Sequence, residues 1–207
     1  MSQQEQPSIG SDRLVTFVDA IVAIAITLLV ITLVEPVAQA GVDNITAGEF
    51  LSQNADGLIA AAISFAVIAQ LWKAHHSSFS HVERYTPRLA TITILWAGTI
   101  AFLPLPTAMA AELVSDRTNL ALYIGTMTLS SSLLAATNFY VSRHPQIQPP
   151  ERPLTARDVQ LDLVTTVLFA VALVGALLAP DWGYRWLLVL LLNAPVSHWM
   201  ARRTAAA

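Results

Sequence analysis

The stretch that decides the fold is "RLVTFVDAIVAIAITLLV", residues 13–30, where Arg13 and Asp19 stand in an otherwise apolar run. Charged residues inside membrane-spanning segments are rare, face protein or water, and have partners. On a helix that turns about 100° per residue, Arg13 and Asp19 lie about 120° apart in projection and do not face each other. Asp19 is therefore expected to accept a hydrogen bond from another helix.

The composition around this stretch indicates an integral membrane protein. Of 207 residues, 55% are hydrophobic and 12% are charged, and the mean hydropathy is +0.57. Soluble domains carry about 25% charged residues, so this much apolar surface cannot be folded away into one soluble core. A net charge of −3 argues against nucleic-acid binding. The absence of cysteine excludes disulfides and thiol nucleophiles.

Six continuous apolar runs predict an all-α protein with six transmembrane helices, since a bilayer core of about 30 Å takes roughly 20 helical residues. Continuous runs favour helices over the alternating pattern of a membrane barrel. We expect one domain over residues 1–207, with helices at about 13–35, 49–75, 87–112, 118–142, 160–180 and 184–202.

The basic residues predict that both termini are cytoplasmic, with the protein in the cell membrane. Positive charge concentrates on the cytoplasmic side of membrane proteins. Nine basic residues fall on the side of the termini: Arg13, Lys73, Arg84, Arg88, Arg143, Arg152, Arg157, Arg202 and Arg203. Only Arg117 and Arg185 fall on the other side.

The candidate partners of Asp19 lie near the end of the second predicted helix: Trp72, His75 and His76. Indole and imidazole N–H groups are suitable donors to a carboxylate. Asp19 is then either a clamp between helices, the interpretation that we favour, or a titrating acid of a proton relay. Because His75 and His76 are adjacent, they point about 100° apart, and a metal site built from both is not expected.

A second feature of the first helix is a ladder of branched apolar residues, Ile24, Leu28 and Ile31. Together with Ala20 and Thr27 they fall within about 100° of arc. Such a face either contacts lipid, packs in a core or lines a pore, and periodicity alone leaves these alternatives open.

Three ordered motifs resemble the transmembrane protein 175 family of potassium channels. "RLVTFVD" is similar to the R-x-x-x-F-S-D signature that opens the family's first helix. "SFAVIAQLWKAHHSSFSHVERYTPRL" resembles its second helix, and "FLPLPTAM" its third. Arg13, Phe17 and Asp19 keep the signature, whereas Val18 replaces its serine, so gating or local packing is expected to differ.

The resemblance implies the prokaryotic form: six helices per chain, assembled as a homotetramer with the first helix lining a central pore. It further implies a constriction at Ile24, Leu28 and Ile31, with Ile24 the narrowest ring and Thr27 offering a hydroxyl beside it. Without a TVGYG carbonyl filter, passive conduction would favour potassium only weakly over sodium, and no cofactor is expected. Arg13, Phe17 and Asp19, with Trp72, His75 and His76, would hold the first helix in register.

Two other functions are compatible with an intramembrane carboxylate or a polar helix end. A secondary transporter with Asp19 as the proton-coupling acid is the alternative, although Asp19 lies near a helix end rather than at the midplane. An enzyme is not expected, because no nucleophile elbow, zinc motif or nucleotide loop is present in the sequence. The acidic residues of the outer loops, among them Asp43 and Glu112, are ordinary solvated positions or a vestibule that concentrates cations.

Overall fold

The computed structural model describes residues 11–32, 34–113 and 116–193, and this part of the chain is helical with no β-strand. The all-α prediction is therefore confirmed for it. In chain order the α-helices are α1 (Ser11–Ile31), α2 (Val34–Val42), α3 (Ala47–Gln53), α4 (Ala55–Phe79), α5 (Pro87–Phe102), α6 (Pro104–Glu112), α7 (Arg117–Ser142) and α8 (Ala156–Leu178). Short 3-10 helices cover Pro145–Ile147 and Pro180–Leu192.

Five helical stretches of the described residues are long and apolar enough to cross a membrane. They are Ser11–Val42, Gly57–Phe79, Pro87–Glu112, Arg117–Ser142 and Ala156–Leu178, and they coincide with the first five predicted spans. The described part of the sixth is a 3-10 helix, interrupted at Gly183 by a backbone with φ 54° and ψ −135°. Residues 194–202 lie outside the described residues, so a sixth span stays a prediction.

Several helix ends differ from those expected from the sequence, because local capping determines them. Thr46 and Glu49 form a capping box that starts α3, and α4 begins only after Asn54. The second predicted helix is therefore two helices, and α4 continues to Phe79. A capping box between Thr155 and Asp158 starts α8 before residue 160.

A proline pair divides the third span into α5 and α6. Pro104 has no N–H for the carbonyl of Ile100, which accepts from the Leu103 N–H instead at 3.2 Å. Thr107 bonds back to the Leu103 carbonyl through its hydroxyl at 2.8 Å. Its oxygen lies 2.8 Å from the hydroxyl of Ser64, so α4 packs directly against the break.

The core lies around α7, which packs against α4, α5, α6 and α8. α1 packs against α4, α5 and α6 through one stripe of buried residues. This stripe, the buried face of α1, consists of Leu14, Val18, Val22, Ala25 and Leu29. Its spacing of three and four residues places it on one side of the helix and leaves the opposite side uncovered.

Candidate functional site

The uncovered side of α1 carries the predicted ladder. Ile24 is 59% exposed, Leu28 38% and Ile31 57%, whereas their neighbour Leu29 is 2% exposed. At about 100° per residue the centre of the ladder lies roughly 110° around α1 from the centre of its buried face. The fold therefore leaves an apolar stripe of branched side chains free to contact lipid, another protein surface or a pore. We call Ile24, Leu28 and Ile31, with Thr27 between them, the open face of α1.

Thr27 is the polar member of the open face, and its side chain is exposed. Its hydroxyl donates to the carbonyl oxygen of Ile24 at 2.8 Å. The hydrogen is thus used inside the helix, while the hydroxyl oxygen keeps lone pairs that point away from the donor direction. Any interaction of Thr27 with a cation would use this oxygen.

Asp19 lies on the flank of α1, between its buried and open faces. Its carboxylate Oδ1 accepts a hydrogen bond of 2.7 Å from the indole N–H of Trp72 on α4. Both side chains are half-buried. A charge-assisted bond between two packed helices fixes the rotation of α1 relative to α4. The same rotation determines which residues of α1 the open face presents.

The two histidines have separate environments. His75 is 1% exposed and stacks on the ring of Trp96 from α5, with centroids 4.4 Å apart and planes 9° apart. Its other side stacks on Phe79 at 4.6 Å. Neither ring nitrogen of His75 has a hydrogen-bond partner within the described part of the chain. His76 is exposed, with its ring 5.8 Å from that of Trp72.

The expected interhelical network is therefore smaller within one chain than the motif suggests. Arg13 is exposed and Phe17 is 53% exposed, both on the side of the open face. Among the residues that the structure describes, Arg13 forms no hydrogen bond or ion pair. Asp19 alone of the signature triad reaches another helix through a hydrogen bond. Val18, at the serine position of the signature, is fully buried in the core against α4 and α5.

The sequence missed two polar or aromatic features of the interior. Trp96, the partner of His75, lies in an unbroken apolar run that gives no sign of its role. Asn138 of α7 donates a hydrogen bond to Asp162 of α8, one residue before the apolar run that marked the fifth span. The capping-box pattern of Thr155 and Asp158 could have shown that the helix starts early enough to place Asp162 six residues inside it. No group of three metal-ligating side chains occurs among the described residues.

On the side where α1 ends, an open groove of about 730 Å³ lies between α2, α3 and α6. Asp43 and Glu112 contribute carboxylates to its wall, beside the amides of Gln39, Gln53 and Asn54. Nearby, Glu49 accepts hydrogen bonds from the Thr46 side chain and backbone, and these lower the pKa of Glu49. This end of the molecule is therefore negatively charged next to the open face of α1.

Comparison with known proteins finds similarity in the first half of the chain. Residues 13–104 match the family described as Endosomal/lysosomal potassium channel TMEM175. This range begins at Arg13, ends at the proline break and contains every residue of the open face, Asp19 and Trp72. The second half of the chain lies outside the match.

Curated relatives agree with this family. A potassium channel of Streptomyces collinus is 34% identical over 108 residues, which are 51% of this chain and 50% of that protein. The endosomal/lysosomal proton channel TMEM175 is 30% identical over 109 residues in Rattus norvegicus and 28% identical in Homo sapiens. Each of these two alignments covers 47% of this chain and 20% of the mammalian protein. The aligned region thus spans half the length of the bacterial relative and a fifth of the mammalian ones.

Proposed function

We propose that this chain, whose residues 13–104 match the TMEM175 potassium channel family, is a passive potassium channel. Four copies would surround a central path lined by α1, each chain having six spans and cytoplasmic termini in the cell membrane. The observation that carries the proposal is the open face of α1. A helix that packs on α4, α5 and α6 through one stripe and leaves Ile24, Leu28 and Ile31 uncovered is suited to line a shared path.

A constriction made of these side chains would act through dehydration rather than coordination. An apolar ring offers no ligands to replace the water around an ion, and such rings gate by dewetting. Potassium sheds water more readily than sodium, so the ring favours potassium, but only weakly. The Thr27 oxygen beside the ring is the nearest polar group on the open face. The acidic groove with Asp43 and Glu112 would raise the local cation concentration at one entrance.

Asp19 serves this function by orientation. Its bond to Trp72 sets the rotation of α1, and a rotation of about 100° would replace Ile24 in the path by Ala25 or Ala23. The alternative, a transporter with Asp19 as the proton-coupling acid, has less support. A carboxylate held by an indole N–H is positioned as an acceptor, and α1 runs without interruption through it.

The test is ion flux into liposomes containing the purified protein, with potassium and sodium compared for wild type and Ile24→Asn. A matched control is Ile94→Asn on α5, where the isoleucine is 52% exposed but lies off α1. We expect passive potassium flux in the wild type, changed in rate or selectivity by Ile24→Asn and unchanged by Ile94→Asn. Uptake that occurs only with a proton gradient would support the transporter instead.

A further inference from the structure

A polar site lies between α4, α7 and α8, away from α1 and outside the family match. Asp162 is its charged member and sits about 9 Å along α8 from the first residue of that helix. Its carboxylate is half-buried and accepts a hydrogen bond from the side-chain amide of Asn138. No lysine or arginine is paired with Asp162 among the described residues. A carboxylate in a membrane-spanning helix without a counter-charge is costly.

Asn138 supplies a second observation that points to a ligand. The residue is 5% exposed, and its side-chain oxygen Oδ1 has no hydrogen-bond partner within the described part of the chain. The amide nitrogen donates to Asp162, the amide oxygen lacks a donor, and both residues line the same cavity. Buried polar atoms are rarely left in this condition without a bound water or ion.

Two cavities meet at Asp162. One of about 220 Å³ is bordered by Asn138, Asp158, His81 and Ser78, and the other of about 470 Å³ by Gln70, Thr165 and Asn193. Asp162 lines both. Since a water molecule occupies about 30 Å³, the smaller cavity alone has room for several waters or a partly hydrated ion.

We propose that Asp162 and Asn138 form a binding site for a monovalent cation, potassium or sodium. The ligands are hard oxygens from one carboxylate, one amide and neighbouring hydroxyls, which suit alkali ions rather than transition metals. The described residues contain no group of three His, Cys, Asp or Glu side chains that could hold a multivalent metal. The site is independent of the proposed path along α1.

Asp158 and His81, which also border the smaller cavity, already have hydrogen-bond partners. Asp158 accepts hydrogen bonds from Thr155 in the capping box. His81 uses its Nδ1 atom on the carbonyl of Arg152, 2.8 Å away. A proton on Asp162 would neutralise the carboxylate but would leave the Asn138 oxygen without a partner. These contacts favour a cation over a proton as the occupant.

The experiment is thermal unfolding of the full chain in detergent, with potassium, sodium or N-methyl-D-glucamine chloride at equal ionic strength. We expect potassium or sodium to raise the Tm of the wild type by about 3 °C or more over the organic cation. Asp162→Asn should abolish this increase, and Asn138→Ala, which keeps the carboxylate, should reduce it. Asp181→Asn, which removes an exposed acid beyond the other end of α8, and Ile24→Asn on the open face should retain it.

Three results would overturn the site. The first is an equal cation-dependent increase in Asp162→Asn, and the second is no dependence on small cations in the wild type. The third is stabilisation by lower pH that is the same in every salt, which would identify a proton site. Because Asn138→Ala is measured alongside, a poorly folded Asp162→Asn still leaves a decisive comparison.

Discussion

Trp72 of α4 donates a hydrogen bond of 2.7 Å through its indole nitrogen to the carboxylate of Asp19 on α1. The two residues are 53 positions apart in the sequence, yet this contact determines how the helix with the open face is turned. Its removal should therefore affect both stability and conduction. In contrast, a residue that only fills space on α4 would affect stability alone.

The first prediction concerns this bond. Trp72→Phe keeps an aromatic ring but removes the donor, which leaves a half-buried carboxylate without its partner and costs about 1–3 kcal/mol. For a chain of this length the Tm should fall by about 2–4 °C for each kcal/mol. Trp182→Phe, at a position that is 60% exposed, is the control and should leave Tm unchanged. Equal Tm values for the wild type and Trp72→Phe would contradict the clamp.

The second prediction compares two adjacent leucines of α1 that point about 100° apart, one exposed and one buried. Leu29→Ala creates a cavity at a position that is 2% exposed and should cost about 2–5 kcal/mol of unfolding free energy. Leu28→Ala, on the open face, should change the Tm little but should increase ion flux by widening the constriction. Thermal unfolding and liposome flux measure the two effects. The opposite pattern would show that the wrong side of α1 had been assigned to the path.

The third prediction concerns the position where the family signature has serine. Val18 is fully buried, so Val18→Ser loses apolar contacts and brings a hydroxyl that must bond to the Leu14 carbonyl. We expect a loss of about 1–2 kcal/mol, measured as a lower Tm. Val18→Thr keeps most of the volume and should lose less. A more stable Val18→Ser variant would mean that a hydroxyl partner already exists at this site.

The sequence allowed the two faces of α1 to be predicted, because helical periodicity is a local property of one element. Ile24, Leu28 and Ile31 are spaced so that the residues between them, such as Ala25 and Leu29, must lie on the other side. Trp72 was one of three candidate donors to Asp19, chosen because the three lie near the end of the second apolar run. The choice among the three depends on packing between α1 and α4, which the sequence does not encode locally.

Other parts of the fold depend on contacts between distant residues and were missed for that reason. The sequence identifies His75 as a possible donor to Asp19, but its ring stacks on Trp96 instead. Trp96 lies in an apolar run, and such a run does not show which residue the tryptophan contacts. Asp162 falls inside the fifth predicted helix, but its partner Asn138 lies on another helix, and the sequence does not pair the two. The second predicted helix was not divided at Asn54, where no proline or glycine marks the break.

The fourth prediction tests the role of His75. Because its two nitrogens have no hydrogen-bond partner in the described structure, the ring contributes by stacking between Trp96 and Phe79. His75→Phe should therefore keep most of the stability, whereas His75→Ala should lose about 3 kcal/mol or more. His76→Ala, at the exposed neighbour, should have little effect. A Tm for His75→Phe as low as that of His75→Ala would show that a polar contact of the imidazole had been missed.

The last prediction concerns the packing of the Pro180–Leu192 segment on α8. A Cβ added to Gly175 would overlap the indole ring of Trp186, so the ring can lie on α8 only because this residue has no side chain. Trp186 is further held by a hydrogen bond of 3.2 Å from its indole nitrogen to the Ala179 carbonyl. Gly175→Ala should displace the ring, lower the Tm and increase tryptophan exposure in fluorescence quenching.

Gly125→Ala on α7 is the matched control, because nothing lies within 4 Å of its added Cβ. As alanine favours a helix over glycine by about 1 kcal/mol, that variant should be as stable as the wild type or more so. A stable Gly175→Ala variant with unchanged quenching would contradict the docking of Trp186 on α8.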